Sequence, residues 1–364
     1  MTRALYVGLM SGTSLDGVDA VLAEFSGARP NLLANAHIPF DAALRRELLA
    51  LNASGADEIE RAALAGNELA KHYAEAVAGV LAGSKTPASA VRAIGCHGQT
   101  VRHRPRSGYT TQIGNAARLA ELTGIRVVSD FRSRDVAAGG QGAPLAPAFH
   151  AAVFTDPAEA RVALNLGGIA NLSFLPRQDD VTGFDSGPGN CLLDLWAAQH
   201  LGKPHDDGGT WAASGAVIPA LLERMLQEPY FAAPPPKSTG RDLFNAAWLK
   251  GMLSGGENPQ AVQATLLELT ARSVANAVST HCRGARRIIA CGGGARNTAL
   301  MRRLAELAAP AQLEASDRHG IDPQLVEAAA FAWLAMRALE GLPGNLPAVT
   351  GARGPRVLGA IYPA

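Results

Sequence analysis

A glycine-containing hairpin pattern occurs near the start of the chain and again in its second half. VGLMSGTSLDGVDAVLAEF (7–25) has two apolar runs of strand length joined by small, hydroxylated and acidic residues. ALNLGGIANLSFL (163–175) repeats this order around a Gly-Gly turn. Helical and parallel-strand patterns follow both hairpins, so the sequence predicts two related α/β domains. Chance resemblance of two hairpins is the alternative.

The length of the chain supports a division into two domains. At 364 residues it exceeds the size of an ordinary single core, and its 48% hydrophobic content can fill two cores. We place the domains at 1–159 and 160–364, with the last helix and tail free to return to the first.

Charge and cysteine content exclude several classes of protein. A formal net charge of +1 argues against a nucleic-acid-binding surface, which needs a strongly basic face. The sequence shows neither a signal peptide nor an apolar run of about 20 residues, so we expect a cytoplasmic protein without a membrane partner. Buried free thiols, rather than disulfides or a zinc site, are expected because C-x-x-C spacing is absent among the cysteines Cys96, Cys191, Cys282 and Cys291.

Periodicity between the glycine clusters predicts further elements. TTQIGNAARLAELTGIRVVSDF (110–131) resembles a strand, helix and strand, a short βαβ unit whose helix stops at Gly124. Near the end, Asp322 as N-cap and Pro323 as first helical residue predict the start of a long apolar helix. Helical spacing covers 41–83, 245–281 and 323–339.

Three glycine clusters adjoin strands: MSGTSLDGVD (10–19), GFDSGPGN (183–190) and CGGGARN (291–297). Backbone N–H groups in such turns bind anions, and glycine lets a phosphate approach closely. The P-loop and G-x-S-x-G motifs are absent. The clusters therefore predict phosphate binding, and neither Ser11 nor Ser14 is expected to act as a nucleophile.

Aspartates accompany two of these clusters. A carboxylate beside phosphate-binding amides can hold the water shell of Mg²⁺ or act as a general base. For Asp16 these roles compete evenly with a plain turn role, and for Asp19 the turn role is preferred. Asp185, between a strand and the SGPGN turn, is the preferred base.

The third cluster also permits a dinucleotide site. G-x-G-x-x-N followed by Glu314 lies in a strand, helix and strand pattern (288–316). Against this interpretation, Asn297 replaces the third glycine and the other two clusters would have no role.

Two polar segments, 95–105 and 130–135, suit a sugar. Hydroxyl and amide groups bind sugar hydroxyls, and arginine binds carboxylates through paired hydrogen bonds. For the run 102–106 a solvated loop is preferred, and Glu327 is equally suited to substrate contact or to the helix dipole. The candidates in the two segments are His97, Gln99, Thr100, Arg102, His103, Arg104, Arg132 and Arg134.

The motifs as a set resemble the anhydro-N-acetylmuramic acid kinase family, within the actin, hexokinase and Hsp70-like ATPase superfamily. They follow one another across nearly the whole chain. The motifs that carry the resemblance are MSGTSLDGVD, GCHGQTVRH, GGQGAPLAPAFH, LNLGGIANLS, GFDSGPGN, KSTGR, CGGGARN and GLPGNLPAVTGA.

The resemblance implies an α/β fold of two ribonuclease-H-like (actin/hexokinase-type) domains facing across a nucleotide cleft. It implies ATP and Mg²⁺ as cofactors. It also implies a reaction in murein recycling, in which water opens the 1,6-anhydro bond of anhydro-N-acetylmuramate and O6 is phosphorylated. Water and this sugar are the implied partners, and a homodimer is compatible with the family. The alternatives are a sugar kinase without ring opening and a nucleotide-gated binding module.

Matching positions carry the site roles implied by the resemblance. Asp185 is the implied base, and no residue is assigned as a direct metal ligand. The implied sugar site holds Gln99, Thr100, Arg134 and Glu327. The implied nucleotide site holds Gly12, Thr13, Ser14, Leu15, Asp16, Gly17, Val18, Asp19, Gly167, Gly168, Gly187, Gly189, Gly292, Gly293, Gly294 and Asn297.

Overall fold

The computed structural model describes residues 4–12, 14–27 and 29–364. It divides into two compact units, one holding the described residues up to Val153 together with Leu325–Ala364, the other holding Phe154–Gln324. The C-terminal segment is therefore part of the first unit.

Strands and helices alternate along the chain. The strands are β1 (Leu5–Met10), β2 (Gly17–Glu24), β3 (Asn31–Pro39), β4 (Val91–Cys96), β5 (Gln99–Arg104), β6 (Tyr109–Ile113), β7 (Val127–Ser129), β8 (Ala160–Leu166), β9 (Ile169–Leu175), β10 (Thr182–Pro188), β11 (Ala285–Cys291), β12 (Gln312–Ala315) and β13 (Ala360–Tyr362). The helices are α1 (Ala42–Ala50), α2 (Glu58–Ser84), α3 (Ala116–Thr123), α4 (Ser133–Ala137), α5 (Ala146–Phe154), α6 (Cys191–Leu201), α7 (Thr210–Ala213), α8 (Pro219–Leu226), α9 (Pro229–Ala232), α10 (Ala246–Met252), α11 (Pro259–His281), α12 (Thr298–Ala308), α13 (Val326–Leu339) and α14 (Pro347–Thr350).

A six-stranded sheet of order β13-β7-β4-β1-β2-β3 forms the centre of the first unit. β1, β2 and β3 are antiparallel neighbours, whereas β4 and β7 continue parallel to β1. Helix α13 lies directly on this sheet because two glycines leave room for its backbone. A Cβ on Gly8 would lie 1.9 Å from the carbonyl oxygen of Ala328, and one on Gly95 would lie 2.0 Å from that of Phe331.

The second unit repeats this arrangement in a five-stranded sheet of order β10-β9-β8-β11-β12. Its first three strands in chain order are antiparallel neighbours, and β11 and β12 continue parallel to β8. The prediction of two ribonuclease-H-like α/β domains is confirmed by this shared strand order. Apolar side chains of β8 and β9 pack with α6, α8, α11 and α12 into one core.

Several predicted local elements are confirmed. The two glycine-tipped hairpins form as β1–β2 and β8–β9, and helices cover the predicted ranges 41–83 and 245–281. Helix α3 ends at Gly124, whose φ is +63° and whose N–H donates to the carbonyl oxygen of Ala120 over 2.8 Å. All four cysteines are buried free thiols, as expected.

Two local predictions were wrong. Residues 110–131 do not form a βαβ unit, because β6 pairs with β5 in a separate two-stranded sheet while β7 joins the six-stranded sheet. The long apolar helix begins at Val326 instead of Pro323, after a 3₁₀ turn. Asp322 Oδ1 accepts the N–H of Gln324 and so stabilises this turn instead of capping the helix. The Pro323 carbonyl oxygen accepts the N–H of Gly292 at 2.8 Å, which connects the turn to the third glycine cluster.

Within the described residues, no helix has the length and apolar character needed to cross a membrane.

Candidate functional site

The tip of the first hairpin connects β1 to β2 through residues 11–16. Leu15 adopts a left-handed conformation (φ +56°), and its N–H donates to the carbonyl oxygen of Gly12 over 3.3 Å. The side chains of Leu15 and Val18 are buried, so only their backbone is suited to a polar ligand. Gly17, Val18 and Asp19 lie in β2 and not in the tip, whereas Thr13 lies outside the described residues.

Hydroxyl and carboxyl groups at this tip have distinct environments. Ser11 is buried and donates to the carbonyl oxygen of Gly98 over 3.2 Å, which is a structural contact. Ser14 is exposed and donates to Asp16 Oδ1 over 2.7 Å. Asp19 Oδ1 lies 2.8 Å from Nδ1 of His37, so this carboxylate forms a partly exposed ion pair when that histidine is protonated.

Some glycines in the three clusters are required by the packing of the protein itself. A Cβ on Gly189 would lie 2.3 Å from the Gly167 carbonyl oxygen, and one on Gly187 would lie 2.6 Å from the Phe231 ring. A Cβ on Gly294 would lie 2.7 Å from Leu166. Gly17 and Gly292 are restricted in the same way, by backbone oxygen of Ile38 and by the side chain of Asn165 respectively.

Other glycines, in these clusters and in the Gly-Gly turn of the second hairpin, are not required by packing. We call Gly12, Gly167, Gly168 and Gly293 the open glycines, because a Cβ on any of them would meet no atom closer than 3.5 Å. None of the four has a positive φ. Neither steric contact nor backbone conformation therefore calls for glycine at these positions, and a ligand approaching the backbone is a physical reason for it.

The second hairpin turn is connected to the start of helix α6. The N–H groups of Asn190 and Cys191 donate to the carbonyl oxygens of Gly167 and Gly168 over 2.8 and 3.0 Å. Gly189 N–H also donates to Gly168 O over 3.0 Å. The Gly-Gly turn is thereby fixed next to the N-terminal end of an 11-residue helix, which favours negative charge.

Asp185 lies within β10, at a bulge between Asp185 and Gly187, and not after the strand end as expected. Its Oδ2 accepts the N–H of Thr239 over 3.0 Å. Burial raises the pKa of this carboxyl to about 6, against the opposing effects of the Thr239 amide and the Lys237 charge. At neutral pH such a group is ionised and still basic enough to accept a proton.

Three residues that contact Asp185 were not predicted as site residues: Tyr230, Lys237 and Thr239. Tyr230 Oη donates to the carbonyl oxygen of Asp185 over 2.8 Å, and the Asp185 N–H donates to that of Lys237 over 3.1 Å. Lys237 and Thr239 belong to the KSTGR motif. That motif was the available signal, but it indicates no contact with a residue some 50 positions earlier.

The third glycine cluster leads into helix α12. Asn297 is the N-cap of this helix, and its Oδ1 accepts the N–H of Leu300 over 3.0 Å. Glu314, the acidic residue of the dinucleotide alternative, pairs with Arg287 at 3.1 Å and with His319 at 2.7 Å. Because these partners already bind its carboxylate, the geometry does not favour a ribose contact.

The sugar-site candidates of the first unit occupy different environments. Gln99 is buried, and its Nε2 donates to Gly12 O over 3.2 Å, which connects it to the first hairpin tip. Thr100 Oγ1 accepts from Nε2 of Gln112 over 3.2 Å. Arg134 is exposed on α4, and no described residue forms an ion pair with it.

Arg132 and His97 form a polar cluster beside Glu327. His97 Nε2 accepts from Arg132 Nε at 3.1 Å and Nη2 at 2.9 Å, so its proton lies on Nδ1. Burial, and then the Arg132 charge, lower the pKa of His97 to about 3. Burial raises the pKa of Glu327 and lowers that of Arg132 to about 10, while their mutual attraction opposes both shifts.

Asp135 was not predicted and has a structural role. This fully buried carboxylate accepts the Gly142 N–H at 2.7 Å, Nδ2 of Asn345 at 2.6 Å and Oγ1 of Thr350 at 2.7 Å. It joins the loop after α4 to the C-terminal segment. The interpretation of 102–106 as a solvated loop was wrong, because Arg102, His103 and Arg104 lie in β5 and the largely buried Arg102 side chain pairs with Glu58.

Comparison with known proteins gives a match over nearly the whole chain. The model of the anhydro-N-acetylmuramic acid kinase family matches residues 4–364. Proteins named anhydro-N-acetylmuramic acid kinase are 55% identical in Nitrosospira multiformis, over all of both chains, and 58% identical in Bordetella petrii, over 99% of this chain and 96% of the relative. Among solved structures, the activator of the 2-hydroxyisocaproyl-CoA dehydratase from Clostridium difficile aligns at 13% identity with a TM-score of 0.48, over 92% of this chain and 96% of that one.

Proposed function

Because the chain belongs to the anhydro-N-acetylmuramic acid kinase family, we propose that it uses ATP and water to convert 1,6-anhydro-N-acetylmuramate into N-acetylmuramate 6-phosphate. The full-length match at more than half identity carries this proposal. The enzyme is a phosphotransferase of murein recycling. A cytoplasmic location and a homodimer belong to the same proposal.

Asp185 is the proposed base. It accepts a proton from water as the water oxygen bonds to C1 and the C1–O6 bond breaks. O6 then attacks the γ-phosphorus, a P–O6 bond forms, and the bond from this phosphorus to the ADP oxygen breaks. The pKa of about 6 supports this role, because the carboxylate is ionised at neutral pH. Strain in the bicyclic sugar favours ring opening.

Three of the open glycines, Gly12, Gly167 and Gly168, support binding of the ATP phosphates. Their exposed backbone can approach phosphate oxygens without a Cβ between them, and the N-terminus of α6 adds favourable potential beside Gly167 and Gly168. Gly292, Gly293, Gly294 and Asn297 are proposed on the adenosine side. Since Oδ1 of Asn297 caps α12, its Nδ2 is the group left for a nucleotide contact.

The residues also fit Mg²⁺ held through water. Within the described ranges, no cluster of three or more His, Cys, Asp or Glu residues is arranged as a metal site. Mg²⁺ commonly keeps several waters and uses one or two carboxylates with phosphate oxygens. Asp16, exposed at the hairpin tip, is the proposed carboxylate for this water shell. When bound, the metal neutralises charge on the transferred phosphoryl group.

The sugar site is proposed on Gln99, Thr100, Arg134 and Glu327. Gln99 and Thr100 offer amide and hydroxyl groups to sugar oxygens. Arg134 is the candidate for the substrate carboxylate, because it is exposed and has no ion-pair partner among the described residues. Glu327 is half-buried, and its charge interacts with that of Arg132, two residues before Arg134, which supports its place at the same site.

Product identity tests the proposal. Incubation with anhydro-N-acetylmuramate and Mg-ATP in ¹⁸O-water is expected to yield N-acetylmuramate 6-phosphate with the label on the C1 hydroxyl. Label no greater than slow anomeric exchange would favour a sugar kinase without ring opening. ATPase activity that the sugar does not stimulate would instead favour a nucleotide-gated binding module. Asp185→Asn is expected to remove turnover and keep nucleotide binding.

A further inference from the structure

Residues 230–239 hold Asp185 at the free edge of a sheet. β10 is the edge strand of the five-stranded sheet, so within the described part of the chain one side of its backbone has no strand partner. At Asp185 this segment supplies three partners: Tyr230 Oη to the carbonyl oxygen (2.8 Å), Lys237 O to the N–H (3.1 Å) and Thr239 N to Oδ2 (3.0 Å). Both main-chain groups and one carboxylate oxygen are thereby fixed.

Lys237 connects the two ends of the 230–239 segment through its side chain. Its Nζ donates to the carbonyl oxygens of Tyr230 and Phe231, each over 3.1 Å, and lies 4.8 Å from the centre of the Tyr230 ring. These contacts join the two ends of the segment that reach Asp185. Without the ammonium group, the Phe231 carbonyl oxygen would lose its donor and the Tyr230 carbonyl oxygen would keep only the Ala233 N–H, at 3.2 Å. The Tyr230 and Thr239 contacts would then no longer be connected through Lys237.

The geometry leaves one carboxylate oxygen for chemistry. Thr239 N–H binds Oδ2, whereas no described residue donates to Oδ1 of Asp185. Asp185 therefore keeps Oδ1 as an acceptor for a small donor such as water.

We propose that Lys237 is a positioning residue for the reaction: it holds the 230–239 segment on β10, so that Asp185 presents Oδ1 to the proton donor near a fixed positive charge. The inference depends on the proposed role of Asp185 as base. It adds a role for Lys237 that acts through Asp185 and not through contact with the substrate.

Among the described residues, Lys237 is the cation whose charge acts on the Asp185 carboxylate. Tyr230 is neutral, because burial and then the Asp185 charge raise its pKa. His281, at the end of α11 and packed on Phe184, has its pKa lowered by burial and by Lys237. The charges of Lys237 and Asp185 each favour ionisation of the other, whereas burial opposes both.

The pH dependence of kcat/KM for the anhydro sugar, from pH 5.5 to 8.5, tests the inference on the full chain. Lys237→Met is expected to move the acid limb upward by about one pH unit. The loss of kcat/KM relative to wild type should then be about eightfold larger at pH 5.5 than at pH 8.5. Lys237→Arg keeps the charge and is expected to return the limb toward the wild-type position near pH 6. Lys250→Met, which changes an exposed lysine of α10, is the matched control and is expected to leave the profile unchanged.

Tyr230→Phe tests the positioning of Asp185 separately from the effect of the Lys237 charge. It removes the hydroxyl that holds the Asp185 carbonyl but changes no charge near neutral pH, so kcat is expected to fall several-fold without movement of the acid limb. A Lys237→Met loss of equal size at every pH, in a variant that binds ATP normally, would overturn the inference. Retained turnover in Asp185→Asn would instead refute the proposed base, and the two failures are thus distinct.

Discussion

Asp185→Asn is expected to remove turnover and at the same time to stabilise the protein at neutral pH. Burial raises the pKa of the carboxyl from 3.8 to about 6. The folded protein therefore binds this proton more tightly than the unfolded chain does. Above pH 6 the folded state holds an ionised carboxylate that water would solvate better, and this lowers the free energy of unfolding.

The size of the effect follows from the pKa. A rise from 3.8 to about 6 corresponds to about 3 kcal/mol at 1.36 kcal/mol per pH unit. Asparagine avoids this cost, and the pKa of about 6 already includes the favourable hydrogen bond from Thr239 to the charged carboxylate. We therefore expect a net stabilisation of about 2 to 3 kcal/mol at pH 7.5.

The pH dependence of this effect on stability is opposite to that of a carboxylate in an ion pair, which stabilises the folded state above its pKa. As pH falls through 6 toward 3.8, the wild-type carboxyl becomes protonated in the folded state first, so the wild type gains stability and the advantage of asparagine fades. Thermal unfolding at pH 7.5 should show a midpoint several degrees higher for Asp185→Asn, and at pH 4.5 a much smaller difference. A lower midpoint at pH 7.5, or a gap that does not narrow in acid, would refute the reasoning.

Three further predictions concern glycines and carboxylates. Gly167→Ala should leave the thermal midpoint nearly unchanged but weaken ATP binding about tenfold by calorimetry, whereas Gly189→Ala places a methyl group 2.3 Å from a carbonyl oxygen and should lower that midpoint by several degrees. Asp135→Ala leaves three hydrogen-bond donors without their acceptor, and urea unfolding should show a loss of about 3 kcal/mol. Asp16→Asn should raise the Mg²⁺ concentration for half-maximal activity several-fold, and an unchanged metal requirement would remove it from the proposed water shell.

The hairpins and the fold class could be predicted because their signals are local. Two apolar runs around a small polar turn specify β1–β2 and β8–β9 within some 20 residues each. Pairing between distant strands has no such signal. The assignment of β6 and β7 to one βαβ unit failed for this reason, because hydrophobic pattern alone does not indicate which sheet a strand joins.

The contacts of the buried carboxylates could not be predicted from the sequence either. Asp135 binds Asn345 and Thr350 more than 200 positions away, and Asp185 binds Thr239 at a separation of 54. An aspartate next to a glycine-rich turn is compatible with a structural or a chemical role. Only the surroundings separate the two, since protein donors bind both carboxylate oxygens of Asp135, whereas donors among the described residues bind only one carboxylate oxygen of Asp185.

The glycines show most directly what the fold adds to the motif. In sequence, Gly167 and Gly189 belong to similar clusters and were assigned the same role. In the structure, the tight packing of Gly189 explains its identity without a ligand, whereas Gly167 and Gly293 have room for a side chain and ordinary φ values. A glycine that folding does not require is a conformational cost in the unfolded chain. The open glycines therefore point to close approach of a ligand more strongly than the motifs that contain them.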